Sequence, residues 1–143
     1  MEQQASKAKF QFLGYRIRKT SFEIKSEDSS NTLNIRFNPS GIIKRDLSCY
    51  QLKLDVFLED ENRCMNMEIS AIADFRFELG IDKEQLNQYF YINAPAILFP
   101  YIRAYIATLS VLAGTKIINL PTYNLSALGD ELRKNTVDSD QCL

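Results

Sequence analysis

Residues 92–114, INAPAILFPYIRAYIATLSVLAG, carry a single charge, Arg103, in a chain whose composition is 24% charged. A segment so apolar must be covered, by lipid or by protein. A bilayer core of about 30 Å takes roughly 20 apolar residues at about 1.5 Å each. Pro100 lacks an amide hydrogen and blocks the preceding turn, which predicts an uninterrupted helix from Pro100 to Ala113 of only about 14 residues, or roughly 21 Å. In a membrane Arg103 would sit near the middle with no second apolar run to pair against, at a cost of about 2.5 kcal/mol or more. The expectation is a helix buried in protein, with no membrane insertion. Ile97, Phe99, Ile102, Tyr105, Ile106, Leu109, Val111 and Leu112 leave it no wide polar stripe. One sheet covers one face of such a helix, and in a two-layer domain the other face meets water unless a second copy covers it. Self-association through residues such as Ile102, Ile106 and Leu109 is therefore predicted.

At 143 residues and 45% hydrophobic content, the chain is long enough for one core and too apolar for disorder. Its formal net charge of -1 gives no electrostatic case for nucleic acid, which needs clustered Lys and Arg. MEQQASKAK has no apolar centre of the signal-peptide kind, so the expected compartment is the cytoplasm. Cys49, Cys64 and Cys142 are odd in number, widely spaced and include no CxxC, which predicts reduced thiols rather than a disulfide framework or a zinc site. The chain contains no histidine. That excludes Ser/His/Asp triads, Cys/His dyads and His-ligated metals, and leaves a thiol enzyme built on Cys49 or Cys64 without its base. No enzyme activity, cofactor or metal is expected.

Along the chain, FQFLGYRIRKTSFEI at 10–24 alternates, with parity changes near Gly14 and again near Thr20, the pattern of a long strand with bulges. Leu33, Ile35 and Phe37 mark a second strand, ended by the turn signal NPSG at 38–41, and IIKRDLS at 42–48 reads as an unusually apolar loop. Tyr50 to Leu58 and Met65 to Phe77 alternate cleanly around EDEN, which predicts a hairpin with an acidic, solvated tip. The opposite face of its second strand, Asn66, Glu68, Ser70, Ile72, Asp74, Arg76 and Glu78, is turned to water. Asp82 caps a short helical turn, Asn93 with Pro95 opens the apolar helix, Gly114 closes it, and 125–134 places Leu125, Leu128 and Leu132 on one helical face. The fold class is α+β, a four-stranded antiparallel sheet packed on one long and one short C-terminal helix. Residues 1–9 are expected to be a flexible N-terminus, 10–134 a single domain and 135–143 a disordered tail.

Two fragments imitate motifs. AGTK at 113–116 lacks the upstream glycine of a phosphate loop and follows a helix instead of preceding one, which removes the case for ATP-driven work. The sequon at Asn124 has no meaning in the cytoplasm.

NAPAILFPYIRAYI, followed by Gly114 and Thr115 and then by INLPTYNLSAL, closely resembles the SecB family of bacterial protein-export chaperones. The similarity extends less densely from about Phe10 to Leu132, through TSFE at 20–23 and the alternating hairpin. It implies a SecB-like fold in which long helices lie between two layers of sheet and protomers assemble as a homotetramer, a dimer of dimers. It also implies an ATP-independent holdase that keeps newly made secretory proteins unfolded and delivers them to the SecA motor. In the family, acidic residues on the solvent face of the sheet are associated with SecA docking. Glu23 and Glu68 match two of them, while Lys19 stands where a third carboxylate is expected. A chain this close to neutral lacks the negative excess that steers toward a basic partner.

The expected client groove combines the apolar loop residues Ile42, Ile43 and Leu47 with the exposed side of Leu125, Leu128 and Leu132. Two alternatives stand beside the export holdase. One is a SecB-like chaperone dedicated to a single client such as an antitoxin, which the weakened acidic face favours. The other is a client-free assembly module, distinguished by failure to bind denatured protein.

Overall fold

Alternation builds the sheet. In β3 (Cys49–Asp60) and β4 (Met65–Phe77) every second side chain, from Tyr50 through Leu52, Leu54 and Val56 and from Ile69 through Ala71, Ala73 and Phe75, is fully buried. The computed structural model describes residues 8–139, and within them β1 (Phe10–Ile24) pairs antiparallel with β4, and β2 (Leu33–Lys44) with β3. The register of β1 slips at Leu13 and at Arg18, each an extra residue opposite β4. The first bulge is where the parity change placed it, and the second lies two residues before Thr20.

The NPSG segment is not a turn. β2 runs straight through it to Lys44, because the nitrogen of Pro39 faces away from β3, where no ladder bond is lost. On that side the Asn135 side chain donates to the Pro39 carbonyl at 3.1 Å, and the Gly41 amide donates to the Asn135 carbonyl at 3.3 Å. Gly41 is there for room: a Cβ would come within 2.5 Å of the Tyr50 hydroxyl beneath it. The apolar loop expected at 42–48 is thus three strand residues and a single tight turn, Arg45–Leu47.

Nor is the segment after Lys134 a disordered tail within the described residues. Thr136–Ser139 form a short β5, parallel to β2, and the five strands lie in the order β1-β4-β3-β2-β5. The acidic hairpin tip is exposed at Glu59, Glu61 and Asn62 as expected, but not at Asp60. Asp60 is wholly buried and accepts the amides of Ser30 at 2.9 Å and Met65 at 2.8 Å, tying the β1–β2 connection to the hairpin. Burial pushes its carboxyl upward, but these backbone donors outweigh that and hold it below the usual carboxylate range.

Asp82 caps α1 (Lys83–Gln88) by accepting the Gln85 amide at 2.8 Å. A π turn, Tyr89–Asn93, then leads into α2 (Ala94–Leu112) immediately before Pro95, whose missing amide hydrogen breaks the regular ladder. Pro100 does not start the helix as expected; the helix passes through it. The cost of an interior proline, about 3 kcal/mol, is offset by full burial of Leu98, Ile102 and Ile106 against the sheet at roughly 1.5–3 kcal/mol each. The continuous helical stretch Lys83–Leu112 is 30 residues long, so length and composition alone would let it cross a membrane. One face of it, with Leu98, Ile102 and Ile106, packs on β3 and β4. Only 33% of its most apolar stretch is buried within the chain, which leaves a long face to be covered. Gly114, at φ 82°, ends the helix. A 3-10 turn, Leu125–Leu128, and α3 (Gly129–Lys134) then seal the end of the core near β2.

Candidate functional site

Of the residues expected to line a groove, the structure separates most. Ile42 and Ile43 are strand neighbours and so point to opposite faces, Ile42 37% exposed and Ile43 5%. Leu47 is exposed on the turn, Leu125 and Leu132 lie in the core with Ile43, and Leu128 is half-buried at its margin. The leucines of 125–132 therefore face the sheet and fill the core, with no exposed apolar side of the kind expected.

The helix face open to a partner differs from the expected one too. Ile102 and Ile106 are fully buried against the chain's own sheet, and Leu109 is half-buried. The outward stripe is instead Pro100, Tyr101, Ala104, Thr108, Val111 and Leu112, small or apolar along its length. It continues onto β1: the Tyr101 ring lies 4.8 Å from that of Tyr15 and 5.5 Å from that of Phe12, and the Tyr105 and Thr20 hydroxyls meet at 2.7 Å. Arg103, the one charge of the apolar segment, donates to the Thr122 hydroxyl at 3.3 Å.

Concave surface occurs at two ends of the molecule. A cleft of about 600 Å³ opens between the β1–β2 connection and the segment after α2, where Ile24, Leu33, Met65, Ile117 and Ile118 are interleaved with polar residues such as Glu27, Asn31 and Lys116. A cavity of about 390 Å³ lies between α1 and the β2–β5 margin, floored by Ile43, Ile81, Leu86, Phe90 and Tyr91. Next to it the Tyr50 hydroxyl, flanked by Thr136, is pushed far above the usual phenol range by burial, against a smaller lowering from Thr136. Burial raises Tyr91 as well, opposed by the Arg133 guanidinium, 5.2 Å above its ring.

Glu23 and Glu68 share the outer face of the sheet, since Glu23 pairs with Asn66 and Ser21 with Glu68. They do not form an open acidic patch. Lys19, on the same face, meets Glu68 at 3.4 Å, and Arg16 likewise meets Asp74 at 3.3 Å. Close by, the Arg36 guanidinium stacks 4.5 Å over the Phe57 ring. Cys49 and Cys64 are free and half-buried; Cys142 lies outside the described residues. Among the described residues no cluster of Cys, Asp and Glu is arranged to hold a metal ion. Sequence reasoning missed Tyr15 and Tyr101 as a joint surface and β5 altogether. The two tyrosines carry no periodic signal across the 85 residues between them, whereas TVDS has only the short alternation of a marginal strand.

A family model described as SecB, preprotein translocase subunit SecB, matches residues 3–135. Among solved structures the chain is similar to the Mycobacterium tuberculosis SecB-like chaperone Rv1957 in complex with a ChAD peptide from the Rv1956 HigA1 antitoxin. Identity is 19%, coverage 80% of this chain and 91% of that one, and the TM-score 0.69. A protein of unknown function from Streptococcus agalactiae aligns at 9% identity over 79% of this chain and 97% of that one, with a TM-score of 0.46. No curated protein matches.

Proposed function

The chain belongs to the SecB family, and from that premise we propose that it is an ATP-independent holdase of the cytoplasm, assembled from several copies, that binds unfolded polypeptides before they fold. As a SecB-family chaperone it is not an enzyme. The observation that carries the holdase reading is apolar surface left exposed away from the long helix, with Ile24 and Ile117 open in the walls of the cleft. Extended clients would meet such surface through many weak contacts, each favouring the unfolded state by mass action. Ile42 and Leu47, exposed at the far end of β2, and the half-buried Leu128 add apolar contacts there. The outward stripe of α2 with Tyr15 is the self-association surface, and a homotetramer is the expected assembly.

Delivery to the SecA motor through Glu23 and Glu68 is the family's export role. The ion pair between Lys19 and Glu68 favours a second reading, a chaperone dedicated to one client, because it cancels charge where a basic partner would be steered. The similar mycobacterial chaperone was solved with an antitoxin peptide, which fits that second reading. Dilution of a chemically denatured test protein into this protein without nucleotide decides the holdase function: aggregation should be suppressed. Unchanged aggregation would exclude a general holdase and leave the single-client chaperone or a client-free assembly module. Titration with SecA then separates export, with salt-dependent binding, from a dedicated role, with none.

A further inference from the structure

β5 has its side chains the wrong way round for a strand at the margin of a core. In its parallel pairing Thr136 lies beside Gly41 and Asp138 beside Ile43, so two of its three polar residues face inward, and both line the 390 Å³ cavity floored by Ile43, Leu86 and Phe90. Its one apolar residue, Val137, shares the solvent face with Ile42 and is 61% exposed. A strand is held in such a place by apolar residues turned to the core, and β5 offers the reverse.

What keeps β5 in place is unevenly spread. Its root is firm: Asn135 bridges the Gly41 amide and the Pro39 carbonyl, and the Thr136 hydroxyl donates to the Leu132 carbonyl at 2.6 Å. Its far end has a four-residue ladder and the ion pair of Arg45 with Asp138, 2.8 Å long and half-exposed on both sides, an interaction of the weak surface kind. The strand can peel away from its far end back to its root while α3 stays in place.

We infer that β5 is a resident placeholder on the β2 margin, displaced by an extended peptide segment with apolar side chains at alternate positions. Such a segment pairs with residues 41–44 and inserts its inward side chains into the cavity that Thr136 and Asp138 leave unfilled. Backbone pairing supplies affinity and the two inward positions supply preference, the division of labour of strand addition. The site is confined to these four residues because Pro39 offers no amide to a ladder that would run further along β2. The biological partner rests on the chaperone reading; the strand exchange itself does not.

The test uses the full chain and a fluorescein-labelled peptide of alternating leucine and threonine, followed by anisotropy. The double variant Thr136→Val with Asp138→Leu fills the cavity from within. It should melt at a higher temperature and bind the peptide roughly tenfold more weakly, the loss expected when the competent state falls to about a tenth of its population. Val137→Pro, which disturbs the short ladder, should bind more tightly than the unaltered protein. Equal affinity in all three, or no binding by any, overturns the placeholder, and equal binding of a peptide with the same leucines placed consecutively overturns the alternate-position rule. Should Val137→Pro fold poorly, the double variant decides alone. Aggregation suppression measured on the same samples keeps the two ideas apart: suppression with equal peptide affinities sinks only the placeholder, whereas ranked affinities without suppression sink only the holdase.

Discussion

At one margin of the sheet, β1 (15 residues) pairs with β4 from end to end, bends at two bulges and presents Phe12 and Tyr15 beside Tyr101 of the long helix. At the other, β2 is capped for four residues by a mostly polar strand from near the end of the chain, and Pro39 interrupts its outer row of amides. The first margin is long, aromatic and backed by a helix face that water would otherwise meet. The second is short and weakly held over a half-empty cavity. A surface of the first kind suits permanent contact with another copy, and one of the second suits contact that must end. On the proposed reading, assembly and exchange lie at opposite margins of one sheet, so each can be altered without the other.

The contrast breaks most visibly in α2. Ile106→Asp puts an unpaired charge into the chain's own core and should destabilise the fold by about 3 kcal/mol or more, read as a large drop in the denaturant midpoint. Tyr101→Asp, at a residue 42% exposed on the outward stripe, should leave that midpoint nearly unchanged and shift light scattering from the assembled mass to the single chain. If the two variants behave alike, the outward stripe is not the contact. Next in size is Gly41→Ala. The new Cβ collides with the buried Tyr50 hydroxyl, and overpacking of this kind costs roughly 1–3 kcal/mol. Hydrogen exchange should quicken in 41–44 and β5 while β1 keeps its protection.

Asp60 clamps the connection that carries the chain from the first margin to the second. Its folded pKa is lowered, so the stability it lends is present above its unfolded value of about 3.9. That stability is lost as pH falls through the folded value. Acid titration should loosen 26–32 in the unaltered protein, and Asp60→Asn should flatten that dependence. The smallest effect belongs to Lys19→Glu, which removes an exposed pair worth no more than about 1 kcal/mol. Stability should hardly move, and SecA affinity should rise at low salt alone.

The hairpin, the first bulge and the antiparallel sheet were legible in the sequence because a period of two is local. The family was legible because ILFPY, the Gly114–Thr115 step and INLPTYNLSAL keep their spacing. Pro39 and Gly41 misled for a tertiary reason: a turn dipeptide looks the same when its proline nitrogen happens to face an outer edge and its glycine makes room for a tyrosine one strand away. Ile102 and Tyr101 were indistinguishable for a different reason, since a helix apolar on all sides does not say which face the sheet takes. TVDS becomes a strand only because β2 stands ready to pair, and nothing within those four residues announces it.

Pro39 has a bearing on heritable order in the protein's surroundings. A protein that holds extended chains against a strand runs the hazard of seeding them, since an unbroken row of amides is a template on which strand after strand can stack into a fibril. One missing hydrogen at Pro39 stops that row after residues 41–44. On the proposed reading, a chain caught there pairs over four residues only, a ladder too short to be a good seed and quickly undone when the chain leaves.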